Sequence, residues 1–287
     1  MSTSLSSSDA PIGIFDSGVG GLSILRHIRA QLPHEHLLYA ADSGFAPYGD
    51  KPESVVAERS LAVARFLVAR GAKALVVACN TATISAVTLL RERFPAMPIV
   101  GVEPGLKPAA AATRSGKVGV LATERTLAGD KFLRLRDQIT DATHAQFLLQ
   151  PCRGLVERIE DGDTDGTTGL LRRYVTPLLA QGVDTLVLGC THYPLVQASI
   201  EHVIAEAGHG GVALVDTGEA VARQLVRLLD AGSLPRAHDA AVPARLDAFT
   251  SASATALSAA FNTLLGIDPP VQEADFEAGV EAGVQAA

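Results

Sequence analysis

Two stretches of the 287-residue chain share one design. Leu75-Val76-Val77-Ala78-Cys79-Asn80-Thr81-Ala82-Thr83 and Leu186-Val187-Leu188-Gly189-Cys190-Thr191-His192-Tyr193-Pro194 are apolar runs that end in a cysteine and continue in polar residues. A continuous aliphatic run bounded by polar residues predicts a strand buried on both faces, and an amphipathic helical pattern follows each one. Both thiols are therefore expected where a strand hands over to a helix. There, unpaired backbone N–H groups and a partial positive charge face the crevice beyond the sheet. A field worth about 0.3–1 kcal/mol, and up to about 2 in sheltered geometry, would lower a thiol pKa from about 8.5 by as much as ~1.5 units.

A thiol that titrates near neutrality can both take and return a proton. Two of them on opposite sides of one small ligand suit inversion at a carbon bearing an acidic hydrogen, each serving as base in one direction and acid in the other. A lone cysteine at a strand end is more often a small packing residue. The matched pair, each followed by polar side chains, favours chemistry, whereas Cys152 has no such setting and reads as structural. His192, beside a titrating thiol, can hold or relay its proton. Asn80, Thr81 and Thr191 suit helix caps that also face a ligand, and Pro194 suits a first helical turn.

The elements that must position these groups alternate between strand and helix. Pro11 to Gly21 reads as a strand, the polar pair Asp16-Ser17 and a glycine-rich turn into a helix over Leu22 to Leu32. The spacing of Gly18, Gly20 and Gly21 fits a dinucleotide fingerprint poorly. The turn therefore either caps the helix through Asp16 or Ser17 or contacts a ligand. His36 to Ala40 is a second strand, leading into a loop, Asp42 to Asp50, that carries Tyr48 and Gly49. A helix over Glu53 to Arg70 precedes the first cysteine strand, and one over Thr83 to Phe94 follows it. Further strands are expected at Ile99 to Val102, Lys117 to Thr123, Ala145 to Leu149 and Ala213 to Asp216. Further helices are expected at Thr126 to Asp137, around Glu157, and at Leu170 to Gln181, Val196 to Ala207, Glu219 to Leu229 and Ala248 to Leu265. Asp161 to Gly166 is a turn without the closing glutamate of a calcium loop.

Such alternation implies an α/β protein with mainly parallel sheets. Two lobes are expected, the first discontinuous: residues 11–102 plus 212–267, then 103–211, with residues 1–10 and 268–287 as loose tails. The net charge of −7 and the lack of a basic cluster argue against nucleic acid or an anionic membrane as partner. No apolar run is long enough to span a bilayer, and the serine-rich first ten residues lack the features of a signal peptide. Three cysteines without a CxxC argue against a disulfide framework or structural zinc, which fits a cytoplasmic protein.

Four motifs in order carry a resemblance: Ile14-Phe15-Asp16-Ser17-Gly18-Val19-Gly20-Gly21, Ala46-Pro47-Tyr48-Gly49, Ala78-Cys79-Asn80-Thr81-Ala82 and Gly189-Cys190-Thr191-His192-Tyr193-Pro194-Leu195. From about Pro11 to Leu265 the chain resembles the glutamate racemases of the aspartate/glutamate racemase superfamily. The resemblance implies two pseudosymmetric α/β lobes with the active site in the cleft between them. It implies interconversion of L- and D-glutamate without cofactor or metal, supplying D-glutamate for peptidoglycan. By position it makes Cys79 and Cys190 the acid/base pair, assisted by Asp16, His192 and Glu157. Asp16, Ser17, Tyr48, Gly49, Asn80, Thr81, Thr123, Thr191 and His192 would hold glutamate. A homodimer is compatible with it. Gln150-Pro151-Cys152-Arg153-Gly154 departs from the family's pattern in placing a cysteine. Three rival readings stand beside this one. An aspartate racemase would differ where His192 stands, a Cys/His hydrolase or thiol transferase would spare one of the two thiols, and a non-catalytic amino-acid-binding module would survive loss of both.

Overall fold

The computed structural model describes residues 10–232 and 244–277. They form two compact units: residues 10–48, 52–102, 218–232 and 244–277 make the first, and residues 49–51 and 103–217 the second. Among the described residues no helix is long and apolar enough to cross a membrane.

The first unit is built on a parallel sheet of β1 (Ile12–Asp16), β2 (Leu37–Ala41), β3 (Ala74–Val77), β4 (Ile99–Gly101), β9 (Leu246–Thr250) and β10 (Val271–Glu273), in the order β10-β9-β2-β1-β3-β4. The central strands β1 to β3 are buried along their whole length, which is why they are written almost without polar residues. Their alternate side chains feed two separate cores. Ile12, Ile14, Tyr39 and Val76 pack under α1 (Leu22–Gln31), α10 (Gly218–Ala231) and α11 (Ala254–Leu265). Phe15, Leu38, Leu75 and Val77 pack under α2 (Glu53–Ala69) and α3 (Asn80–Arg93). At Gly13 a Cβ would stand 3.0–3.2 Å from Leu75, Leu67 and Ala72, so the missing side chain lets α2 lie close on β1.

The second unit holds a four-stranded parallel sheet of β5 (Lys117–Ala122), β6 (Gln146–Pro151), β7 (Thr185–Gly189) and β8 (Ala213–Val215), in the order β6-β5-β7-β8. Its helices are α4 (Leu106–Ala112), α5 (Glu124–Ala128), α6 (Asp130–Thr143), α7 (Leu155–Glu160), α8 (Thr164–Ala180) and α9 (Gln197–Glu206). One core joins α7, α8 and α9 to β5 and β7 through Leu121, Leu155, Leu171, Val175, Leu178, Leu186, Leu188 and Ile200.

Several sequence expectations are corrected. β8 pairs with β7, Thr185 opposite Ala213, so it belongs to the second sheet, and the first unit resumes at Gly218 rather than at residue 212. A three-residue half-buried edge strand carries no signal of which sheet it joins. Ala248 to Leu265 is not one helix. The strand β9 comes first, and the Ser251-Ala252-Ser253 break lets the Ser253 hydroxyl accept from Ala256 N at 3.3 Å and cap α11. The helix expected over Thr126 to Asp137 is two, α5 and α6, which meet at Gly129. α4, unforeseen, fills the crossover after β4. Of the Asp161 to Gly166 turn, Asp161 and Gly162 form the turn, and Thr164 to Gly166 is already the first turn of α8, with the Asp163 carboxylate capping it by accepting from Gly166 N at 2.9 Å.

The C-terminal stretch is also not loose from residue 268. β10 adds to the sheet edge, and Phe276 is buried against Phe66 with ring centroids 4.8 Å apart. The remaining tail expectations fall on residues 1–9 and 278–287, outside the described residues. Phe276→Ala is expected to cost about 3–5 kcal/mol, the range for emptying a buried phenylalanine site. Urea unfolding of the variant checks this, and a midpoint equal to the native one would show that the ring is dispensable.

Candidate functional site

In the first unit the site is built at the carboxyl ends of β1, β2 and β3. Asp16 closes β1 with no exposed surface. Its carboxylate accepts from Ser17 N at 2.8 Å and from Gly21 N at 2.5 Å, closing the glycine-rich turn on itself. A Cβ at Gly21 would stand 2.7 Å from Asp16 and 2.8 Å from the Tyr39 hydroxyl, so only glycine fits there. Those two N–H groups are thereby taken up by Asp16. Neither Asp16 nor Ser17 is the cap of α1. That position is Gly21, without a side-chain bond.

The Ser17 hydroxyl donates to Asp16 at 3.4 Å and lies 3.8 Å from the Cys79 sulfur. Cys79 occupies the cap position of α3 in extended backbone, buried to 5% exposure, with its carbonyl accepting from Thr83 N. Asn80 and Thr81 therefore do not cap α3, which begins at Asn80. Both are buried, and Asn80 Nδ2 has no hydrogen-bond partner among the described residues, a buried donor still to be satisfied. Tyr48, fully buried, donates its hydroxyl to Asp42 at 2.6 Å and belongs to the same packed cluster as Cys79. Burial and the neighbouring Asp42 carboxylate hold the Tyr48 pKa well above its ordinary value, so the phenol stays a donor.

In the second unit the site is built at the carboxyl ends of β5, β6 and β7. Cys190 follows β7 and is buried to 7% exposure. The turn after it is a short 3-10 stretch, Tyr193–Val196, with Pro194 near its start, and α9 begins only at Gln197. The helix-end field expected at both cysteines is thus in place at Cys79 alone. At Cys190 the corresponding positive group is an imidazole. His192 Nδ1 is 3.6 Å from the Cys190 sulfur, and Nε2 is 2.8 Å from Oε1 of Glu160 at the end of α7. Burial opposes a charge on this ring, but the bonds to Cys190 and Glu160 outweigh it and hold its pKa well above 6.5. Thr191 is buried beside it. Thr123 directly follows β5, caps α5 by accepting from Thr126 N at 3.2 Å, and packs where a Cβ on Gly49 would meet it at 3.0 Å.

Cys152 is a packed thiol. It donates to Gln150 O at 3.4 Å, and burial pushes its pKa up to about 12, which removes it from thiolate chemistry near neutrality. Among the described residues no group of three or more His, Cys, Asp or Glu side chains could hold a metal ion.

Residues 16–225 match the family described as Asp/Glu/Hydantoin racemase, which spans all of the groups above. The chain belongs to this family. It is 53% identical over 241 residues to a glutamate racemase of Pseudomonas paraeruginosa, covering 83% of this chain and 89% of the relative. The crystal structure of a glutamate racemase isoform from Bacillus anthracis is 29% identical with a TM-score of 0.83, covering 94% of this chain and 99% of that one. That of Escherichia coli glutamate racemase in complex with L-glutamate is 33% identical with a TM-score of 0.74, covering 92% and 97%.

In this racemase-family chain the carboxylate that meets His192 is Glu160, which sequence reasoning missed. Glu157 lies one turn earlier on α7, half-buried, with its carbonyl accepting from Asp161 N. Residues three apart share a helix face, so the helix pattern alone offers both carboxylates equally. Asp42 was also missed. Its neighbour Ser43 and the glycines and prolines around it mark a loop, and nothing local announces a buried carboxylate.

Proposed function

We propose that the chain interconverts L- and D-glutamate by two-base proton transfer at the α-carbon, with Cys79 and Cys190 as the bases on its opposite faces. One observation carries the assignment: each of two strand-end cysteines has its own proton-handling partner, Ser17 and Asp16 for Cys79, His192 and Glu160 for Cys190. It occurs in a chain that matches a glutamate racemase over most of its length.

In this reaction one thiolate removes the α-hydrogen, the carbanion forms, and the opposite thiol delivers its proton to the other face. The first thiol is then left protonated and the second deprotonated, so proton exchange with water resets the pair. Asp16 and Ser17 orient and exchange the proton of Cys79. His192 serves Cys190 in the same way, with Glu160 holding its far nitrogen and Glu157 a further helper. Asn80 presents its free amide hydrogens to a substrate carboxylate. Ser17, Tyr48, Gly49, Thr81, Thr123 and Thr191 complete the binding surface, with Asp16 and His192 facing the amino-acid head. The product D-glutamate supplies peptidoglycan synthesis, in the cytoplasm, where reduced thiols persist. A homodimer is compatible with this reading.

The decisive test is optical inversion of L-glutamate by the purified chain without pyridoxal phosphate or added metal, with L-aspartate run in parallel. Inversion of glutamate alone is expected. Inversion of aspartate instead, or of neither, would overturn the assignment.

A further inference from the structure

Asp42 directly follows β2 and has no exposed surface. Its carboxylate gathers four donors: the Tyr48 hydroxyl at 2.6 Å and Arg59 Nε at 3.1 Å on Oδ2, and Arg59 Nη2 at 2.8 Å and the Ser251 hydroxyl at 2.8 Å on Oδ1. The Ser251 hydroxyl in turn accepts from Gly44 N at 3.0 Å, and the Asp42 backbone N–H donates to Asp16 O at 2.9 Å. Arg59 is itself buried to 5% exposure, stacks on Phe45 at 3.6 Å, and sends Nη1 to Glu277 at 2.5 Å. Such a buried pair is weak evidence for stability, because desolvation offsets much of the attraction. Its position suggests another use. Tyr48 joins it to the packed cluster that contains Cys79.

We infer that Asp42 is a positioning residue for the Cys79 half of the site: it fixes the Tyr48 hydroxyl and cancels the Arg59 charge, leaving Cys79 free to both hold and release a proton. A base that must also act as acid is disabled if a neighbouring cation locks it as thiolate. Hydrogen bonds link Asp16, Asp42, Tyr48, Arg59 and Glu277 in this half. Asp42 is the one that meets both Tyr48 and Arg59. The inference rests on Cys79 acting as a base, and its test needs no substrate.

The test is titration of the Cys79 thiolate by its absorbance near 240 nm, below pH 9, in a Cys190→Ala background where the Cys152 thiol stays protonated. Asp42→Asn is expected to lower the midpoint and Arg59→Met to raise it, each by about half a pH unit or more, as buried neighbouring charges do. The Asp42→Asn/Arg59→Met double variant is expected to return it to the starting value. If Asp42→Asn fails to fold, Arg59→Met and the charge-neutral double variant carry the same comparison. Opposite shifts that cancel are not produced by a merely loosened fold. Unmoved midpoints, or shifts of one sign, overturn the role. Moved midpoints in a chain that cannot racemise glutamate would overturn the assigned reaction and leave the role of Asp42 standing. Full racemisation with fixed midpoints would overturn the role alone.

Discussion

Alanine at Cys79 or at Cys190 is expected to lower glutamate racemisation by about 10³-fold or more, since loss of one positioned acid/base group alone costs about 10²–10⁴-fold and each turnover needs both. The more telling result is in solvent exchange. Substrate and product are mirror images of equal free energy in water, so kcat/KM must be the same in both directions for the native chain and for every variant. Initial rates of inversion therefore cannot say which thiol serves which face. Exchange of the α-hydrogen in D₂O can, because a lone remaining base still removes and returns hydrogen on its own side without inverting the carbon. Cys79→Ala is expected to exchange one enantiomer, and Cys190→Ala the other. Proton NMR of the α-position, with circular dichroism to confirm the fold, provides the check. If either variant exchanges both enantiomers, a single group is reaching both faces and the two-base scheme is wrong. If either variant races at the native rate, that thiol is a spectator, as a one-nucleophile enzyme would have it.

What could be read in the sequence follows from what is local. The cysteine strands stand out because a central parallel strand must be apolar on both faces, so the first polar residue marks its end. Asp16 is legible for the same reason. Contacts made across the chain leave no such mark. Arg59 sits on a helix whose spacing gives it no distinction from Arg65 or Arg70, and it is buried only because Asp42, seventeen residues earlier, receives it. β8 and β10 are three-residue strands whose place depends on which edge is open, a property of the assembled sheet. The likeness between the two cysteine motifs also conceals a difference. Cys79 caps a fourteen-residue helix, while Cys190 precedes a 3-10 turn and has His192 beside it. Similar sequence has been given two different sources of positive potential.

That difference sets the second large effect. His192, beside the Cys190 sulfur, is held well above its ordinary pKa by its bonds to Cys190 and Glu160, which outweigh its burial, so the ring keeps its proton more readily than a free imidazole. His192→Asn removes the cation while keeping a polar side chain of similar reach. Exchange through Cys190, measured in the Cys79→Ala background, is expected to fall by about 10²-fold at neutral pH, within the usual range for a proton-handling group. Its half-maximal pH is expected to move upward, since no imidazole then stands 3.6 Å from the sulfur. Exchange through Cys79 in the Cys190→Ala background should keep its rate and profile. Glu160→Gln, which preserves the bond and deletes the charge, should shift the Cys190 profile the same way by less. The effect on stability has a definite sign. A histidine whose folded pKa is raised adds stability that is fully present below its unfolded value near 6.5 and is lost as the pH climbs through the folded value. The native chain should therefore lose stability with rising pH above neutrality more steeply than His192→Asn, as read by urea midpoints across that range. Equal slopes for the two would mean that the ring is neutral in the fold.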